Sequence, residues 1–244
     1  MKGTVIRPSG EHGVAVIIAV MATTLMLTLG GALILLSSSE TAIAANFRAA
    51  HEATYAADAA VERALADLRH QTDWTAVLGG GVRSLFADGL PSGTRTLADG
   101  STIDLDRVTN LANCQKMIVC SDADVAMVTT DRPWGANNPR WALFAYGPLA
   151  NMLGPATVRS AFYILAFVGD DPSENDGNPA ADGLTVAGTP NPGNGIVVIR
   201  AEAFGPRNAH KVVEATIGRL TIPPPDPGGP TSTELRVLSW RDVR

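Results

Sequence analysis

The chain has 244 residues and a net charge of −5, and no lysine- and arginine-rich run appears in it. That balance argues against nucleic acid as a partner. About 170 residues follow the first 70 or so, enough for one hydrophobic core beside an anchoring segment. Glycine (24) and proline (16) are abundant and gather after residue 78, which predicts turns between short strands.

Residues 1–13 (MKGTVIRPSGEHG) are polar and carry Lys2 and Arg7. An uncharged apolar run, Val14 to Leu36, follows directly. About 20 apolar residues are enough to cross a bilayer. The first charge beyond the run is Glu40 and the first arginine is Arg48. Positive charge on the N-terminal flank predicts a single pass with that flank cytoplasmic. The rest of the chain then lies outside the cytoplasm, an oxidising setting in bacteria. Three readings of the run compete. A cleaved secretory signal is disfavoured, because the run is long for that role and lacks an A-x-A site. A signal anchor is the simplest reading. The third is a prepilin-type leader, residues 1–13 ending in Gly13, before a transmembrane half-helix over 14–36. Gly30 and Gly31 lie inside the run. They mark either a place where the helix extends or bends during assembly, or tolerated close packing.

The segment 37–70 reads as the outer, amphipathic half of the same helix. Apolar or small residues fall at Ile43, Phe47, Ala50, Thr54, Ala57, Val61, Leu65 and Leu68, in steps of three and four. Arg48, Glu52, Asp58, Glu62, Arg63 and Asp67 lie mostly off that stripe. Arg63 and Asp67 are spaced to pair, worth ~0.3 kcal/mol if exposed. A rigid helix leaving the membrane with an apolar stripe needs something to pack on.

Gly13–Leu65 resembles the N-terminal domain of PilX-type minor pilins of type IV pili. The residues that carry the likeness are GVAVIIA at 13–19, SSSET at 37–41, Asn46 with Phe47 and Arg48, and AADAAVERAL at 56–65. The family shows a glutamate, an asparagine–arginine pair and an Ala-Glu-Ala motif in that order. Glu40, Asn46, Arg48 and Ala57–Asp58–Ala59 stand at the matching places. The likeness covers about a quarter of the chain. His12 stands where Lys or Arg usually precedes the glycine, Val14 where Phe or Met usually follows, and Ile18 where major pilins carry glutamate. An intramembrane acid needs a partner, so a subunit without one suits the tip or initiation better than bulk elongation. The resemblance implies cleavage after Gly13 by a prepilin peptidase and methylation of the new amine on Val14. It also implies helix packing through Ile18, Gly30, Gly31, Glu40, Asn46 and Arg48. The implied partners are other major and minor pilins and the inner-membrane assembly platform, and the implied destination is the pilus or cell surface, with a part in adhesion. Two rival readings are a GspK-like pseudopilin of type II secretion and a membrane-anchored binding protein outside any filament.

The helix should end before Gly79–Gly80–Gly81, and 79–222 should form a strand-rich head. Residues 82–101 read as loop with at most a short turn of helix. Thr102–Val108 alternates and reads as a strand. Cys114 and Cys120 enclose five residues, and a disulfide is expected, adding ~2 kcal/mol at most. Zinc and redox roles do not fit that spacing. Val125–Thr130, Arg140–Tyr146 and Val158–Val168 read as strands. Ile196–Phe204 and His210–Ile222 read as a long hairpin around GPRN at 205–208. Val213, Ala215 and Ile217 present one apolar face, positioned to cover Val61, Leu65 and Leu68.

The segment 170–195 is acidic and rich in Asn, Gly and Pro. Asp170, Asp171, Glu174, Asp176 and Asp182 offer oxygen ligands for calcium, but their spacing is not that of an EF-hand, and a solvated loop is the favoured reading. Residues 223–230 (PPPDPGGP) form a stiff linker. The strand-like tail 231–244 adds an edge strand to its own sheet or to a neighbour's, with Trp240 as anchor. His12, His51, His70 and His210 are far apart, and no nucleophile elbow, zinc helix or phosphate loop is present. The chain therefore reads as a structural subunit rather than an enzyme. The fold expected is α+β: one long N-terminal helix whose outer half packs on an antiparallel sheet, the ladle of pilins.

Overall fold

The computed structural model describes residues 11–154, 159–174, 176–183, 193–222 and 232–243. The expected linker at 223–230 lies outside them, as does most of the leader. The chain divides into two compact units, up to Arg48 and from Ala49 onward.

Helix α1 spans Glu11–Leu68 and belongs to both units. In the first unit its side chains face outward. Its most apolar 18-residue window has a mean hydropathy of 2.2 and none of it is buried within the protein. This is long and apolar enough to cross a membrane. The hydroxyls in the run are satisfied within the helix itself. Thr23 and Thr24 donate to the Val20 carbonyl at 3.0 and 2.7 Å, and Thr28 donates to Leu25 at 2.8 Å. Such back-bonding gives each of these hydroxyls an acceptor on the helix itself.

The second unit is built on a five-stranded antiparallel sheet whose strands lie side by side in chain order. They are β3 (Ala142–Pro148), β4 (Tyr163–Asp170), β5 (Ile196–Gly205), β6 (Ala209–Ile222) and β7 (Ser232–Val243). The short pair β1 (Thr94–Thr96) and β2 (Thr102–Asp104) stands apart. Helices α2 (Trp74–Leu78), α3 (Leu105–Cys114) and α4 (Asp122–Val125) fill the connections. The expected hairpin is present: Ala201 pairs with Val213 and Ile199 with Ala215. Its turn carries Arg207 and Asn208 at φ +59°.

The inner face of the sheet meets the end of α1. Val61, Leu65 and Leu68 share one core with Val213, Ala215 and Ile217, as the two periodicities predicted. The stripe itself differs from expectation. Ile43 and Phe47 are exposed, and burial begins at Ala53. Ala53, Ala56, Ala57, Ala60 and Ala64 make up most of the buried face. Small side chains let a sheet approach a helix closely, so alanine supplies the contact that larger residues were expected to make.

The outer face carries a second core, in which Trp141, Tyr146, Leu165, Phe167 and Val198 pack with Leu105 and Ala112 of α3. The sheet is thus covered on both faces. The free edge of β3 is covered too. Ser84 N–H donates to the Phe144 carbonyl, Tyr146 N–H to Phe86 and Asp88 N–H to Tyr146, each at 2.9 Å.

Several expected elements take a different form. Thr102–Val108 is a strand only as far as Asp104, whose carboxylate accepts from the N–H groups of Asp106 and Arg107 and starts α3. Val125–Thr130 is not a strand. Ser121 and Asp124 form a reciprocal capping box and fold the preceding residues into α4. In 82–101 the regular element is β1, not a turn of helix. The strand expected from Val158 begins at Tyr163, and Val158 lies outside the described residues. The tail docks on its own sheet as β7, in register from Val212–Val243 to Ile222–Ser232. A register shift at Thr216/Ile217 breaks its simple alternation, and Trp240, 42% exposed, is no anchor.

Candidate functional site

The residues expected to assemble the helix lie on α1, with Gly13 and Val14 in its first turn. Val14 and Ile18 are exposed, at 58% and 61%. A Cβ added at Gly30 or Gly31 would meet nothing within 4 Å, so neither glycine serves close packing within this chain. Glu40, Asn46 and Arg48 are exposed on the same helix. Arg63 grips Asp67 with contacts of 2.7 to 3.1 Å, and Ser84 donates to the same carboxylate. This pair is partly buried, which tethers the segment after α2 to α1.

Cys114 and Cys120 are joined, with Cα atoms 6.1 Å apart. The bridge closes the end of α3 onto the loop before α4. Lys116 pairs with Asp124 across it at 2.5 Å. That bond to Lys116, with further bonds from Ser121, lowers Asp124 to about 2.

The outer face of β5 and β6 carries a charged network that the sequence did not announce. Arg200 lies between Glu202 (2.8 Å) and Glu214 (3.0 Å), Arg241 of β7 reaches Glu214, and His210 meets Glu202 at 3.0 Å. The signal was the i, i+2 spacing of Arg200 and Glu202 on one strand, opposite Glu214 on the next. A groove of about 750 Å³ opens beside it, lined by Arg132, Trp134, Trp141 and Arg200 among others. Arg132 is buried and donates to the carbonyls of Ala112 (3.0 Å) and Pro139 (2.7 Å), tying α3 to the approach to β3. Burial first, then the charge of Arg200, lowers it to about 10, so it stays cationic at neutral pH.

Burial alone would raise Glu202, but the bonds from His210 and Arg200 outweigh it and hold the carboxyl below the usual glutamate value. A carboxyl lowered on folding stabilises the fold above its unfolded value, near 4.5, and that contribution is lost as pH falls through the lower folded value. Acidification from about pH 6 to about pH 3 is therefore expected to cost the native chain more unfolding free energy than it costs Glu202→Gln. Urea titrations at the two pH values measure this, and equal losses would remove Glu202 as a source of acid sensitivity.

The five acidic residues after β4 do not behave alike. Asp170, at the last position of β4, is 4% exposed, and Glu174 is 3% exposed. These two and Asp176 bring one carboxylate oxygen each within 4.8 Å of one another. Asp171 caps its own turn, accepting from Ser173 N–H at 3.1 Å. Asp182 accepts from Gly195 N–H at 2.7 Å, ahead of β5. Two of the five are thus buried, where a solvated loop was the favoured expectation. Burial first, then the charges of Glu174, Asp176 and Asp182, raises Asp170 to about 8.

Comparison of the chain with family models, with curated proteins and with solved structures finds no match to any of them.

Proposed function

We propose that this chain is a minor pilin of the PilX type, a structural subunit rooted in the bacterial inner membrane and carried outward into a type IV pilus. One observation carries the reading. A single helical element holds both an outward-facing apolar run of membrane-spanning length and, from Ala53, a face buried under an antiparallel sheet. Pilin-like subunits use these parts together, the run for lateral packing in lipid and then in the filament. The order Glu40, Asn46, Arg48 along the helix supports the same reading, as does a disulfide suited to an oxidising compartment. In this reading prepilin peptidase cleaves after Gly13, and Val14 becomes the methylated first residue. Ile18 leaves no acid within the apolar run, which suits a place at the tip or in initiation.

Mass spectrometry of the protein recovered from its producing cell provides the test. The expected result is a chain starting at methylated Val14, present in both inner-membrane and sheared surface fractions. Retention of residues 1–13 in the mature protein would overturn the proposal. A processed chain whose deletion abolishes protein secretion while sparing pili would move it to the type II secretion machinery.

A further inference from the structure

We propose that Asp170, Glu174 and Asp176 form a calcium site that locks the turn after β4 against the segment leading into β5. The three carboxylates come from the end of one strand and the turn after it, and their ligand oxygens lie within 4.8 Å of one another. Two of the three side chains are almost wholly buried. Acidic residues cluster on many surfaces without binding an ion, but Asp170 and Glu174 are not surface residues. Asp170 supplies the independent sign. Its Oδ1 is buried and receives no hydrogen bond. Buried polar atoms are nearly always satisfied, and an exception calls for an unseen water or ion.

The surroundings are already folded around the cluster. Glu174 Oε2 accepts from Gly183 N–H at 3.2 Å, and the Glu174 carbonyl accepts from Asn137 Nδ2 at 2.7 Å. Any Cβ at Gly193 would collide with the Glu174 side chain, so that backbone passes directly against it. Asp176 accepts from Asn178 N–H at 2.9 Å, which fixes its turn. Asp182 anchors the far side through Thr75 Oγ1, which accepts its N–H at 3.2 Å.

The donor set selects the ion class. Three carboxylates without thiolate or imidazole suit a hard cation. Calcium takes about six to eight oxygens in a flexible shell, whereas magnesium demands near-ideal octahedral geometry and keeps several of its waters. Three carboxylates, two of them buried, therefore favour calcium. Three carboxylates supply up to six oxygens if bidentate, within the range calcium takes.

The test uses the full chain in detergent micelles, stripped with chelator and titrated with calcium chloride by calorimetry. Binding is expected with a dissociation constant at or below about 1 mM. A rise in melting temperature of about 4 °C is expected at tenfold that concentration. Asp170→Asn and Glu174→Gln are each expected to weaken binding by about tenfold or more, while Asp171→Asn leaves it within about twofold. Magnesium should give less than a third of the calcium shift. Absence of calcium heat in the native chain, unchanged binding in both Asp170→Asn and Glu174→Gln, or an equal magnesium response would overturn the site. The result does not depend on whether the chain joins a pilus, since unprocessed protein carries the same cluster.

Discussion

Replacement of Trp74 by alanine is expected to cost about 3–5 kcal/mol of unfolding free energy, the range for a large aromatic removed from a packed core. Trp74 opens α2 and is 1% exposed, in the core that α1 shares with the sheet. The Arg219 guanidinium lies 4.0 Å from its ring. Arg219 also donates to the carbonyls of Thr72 (2.9 Å) and Gln71 (3.1 Å), so one cation joins β6 to the chain leaving α1. Alanine would open a cavity and remove the cation–π contact together. The indole N–H is buried without a hydrogen-bond partner. Trp74→Phe therefore deletes an unsatisfied donor while keeping most of the volume, and should cost less than about 1.5 kcal/mol. Urea unfolding followed by the strand signal in circular dichroism measures both. A cost below about 1 kcal/mol for Trp74→Ala would show that α2 does not belong to the core.

Asn113→Ala is expected to cost about 2–4 kcal/mol. Asn113, near the end of α3, is 7% exposed. Its Oδ1 accepts from Trp141 N–H at 2.8 Å, and its Nδ2 donates to the Trp141 carbonyl at 3.1 Å. The side-chain amide thus pairs with the peptide groups of the residue before β3 as a neighbouring strand would. Alanine leaves a buried donor and a buried acceptor open, each costing about 1–3 kcal/mol, with some relief from water entering. Asn113→Asp should do no better, because a carboxylate still accepts from Trp141 N–H but faces the Trp141 carbonyl without a proton to donate. If Asn113→Asp unfolds like the native chain at neutral pH, the pairing does not hold α3 in place.

Where periodicity alone decides structure, the sequence was readable. The alternation of Val213, Ala215 and Ile217 and the helical spacing of Val61, Leu65 and Leu68 each name a face, and the two faces meet. The cysteine pair was readable because the chain holds two cysteines and so allows one pairing. The small helices were not. Thr102–Val108 alternates like a strand, and only the capping by Asp104 turns its second half into α3. A cap acts through one side chain and is outvoted in a pattern spread over seven residues. The alanine face of α1 was hidden for another reason. Alanine is common on both sides of helices, so Ala53, Ala56, Ala60 and Ala64 carry no periodic contrast. The acidic segment displayed its five carboxylates in full, yet burial, which separates Asp170 and Glu174 from Asp171, depends on contacts with Asn137, Gly183 and Gly193 that spacing does not record.

The chain-order sheet governs how the head folds. Each strand of the five-stranded sheet pairs with its immediate successor, so the sheet can grow one neighbour at a time, across connections that range from the tight turn between β5 and β6 to residues 171–195 between β4 and β5. The docking of α1 joins distant parts, bringing residues 53–68 against strands that begin more than seventy positions later. The helix is synthesised first and must wait for its cover. A face of leucines exposed for that interval would invite aggregation. Alanines adhere weakly to one another and to strangers, and they keep the waiting helix helical.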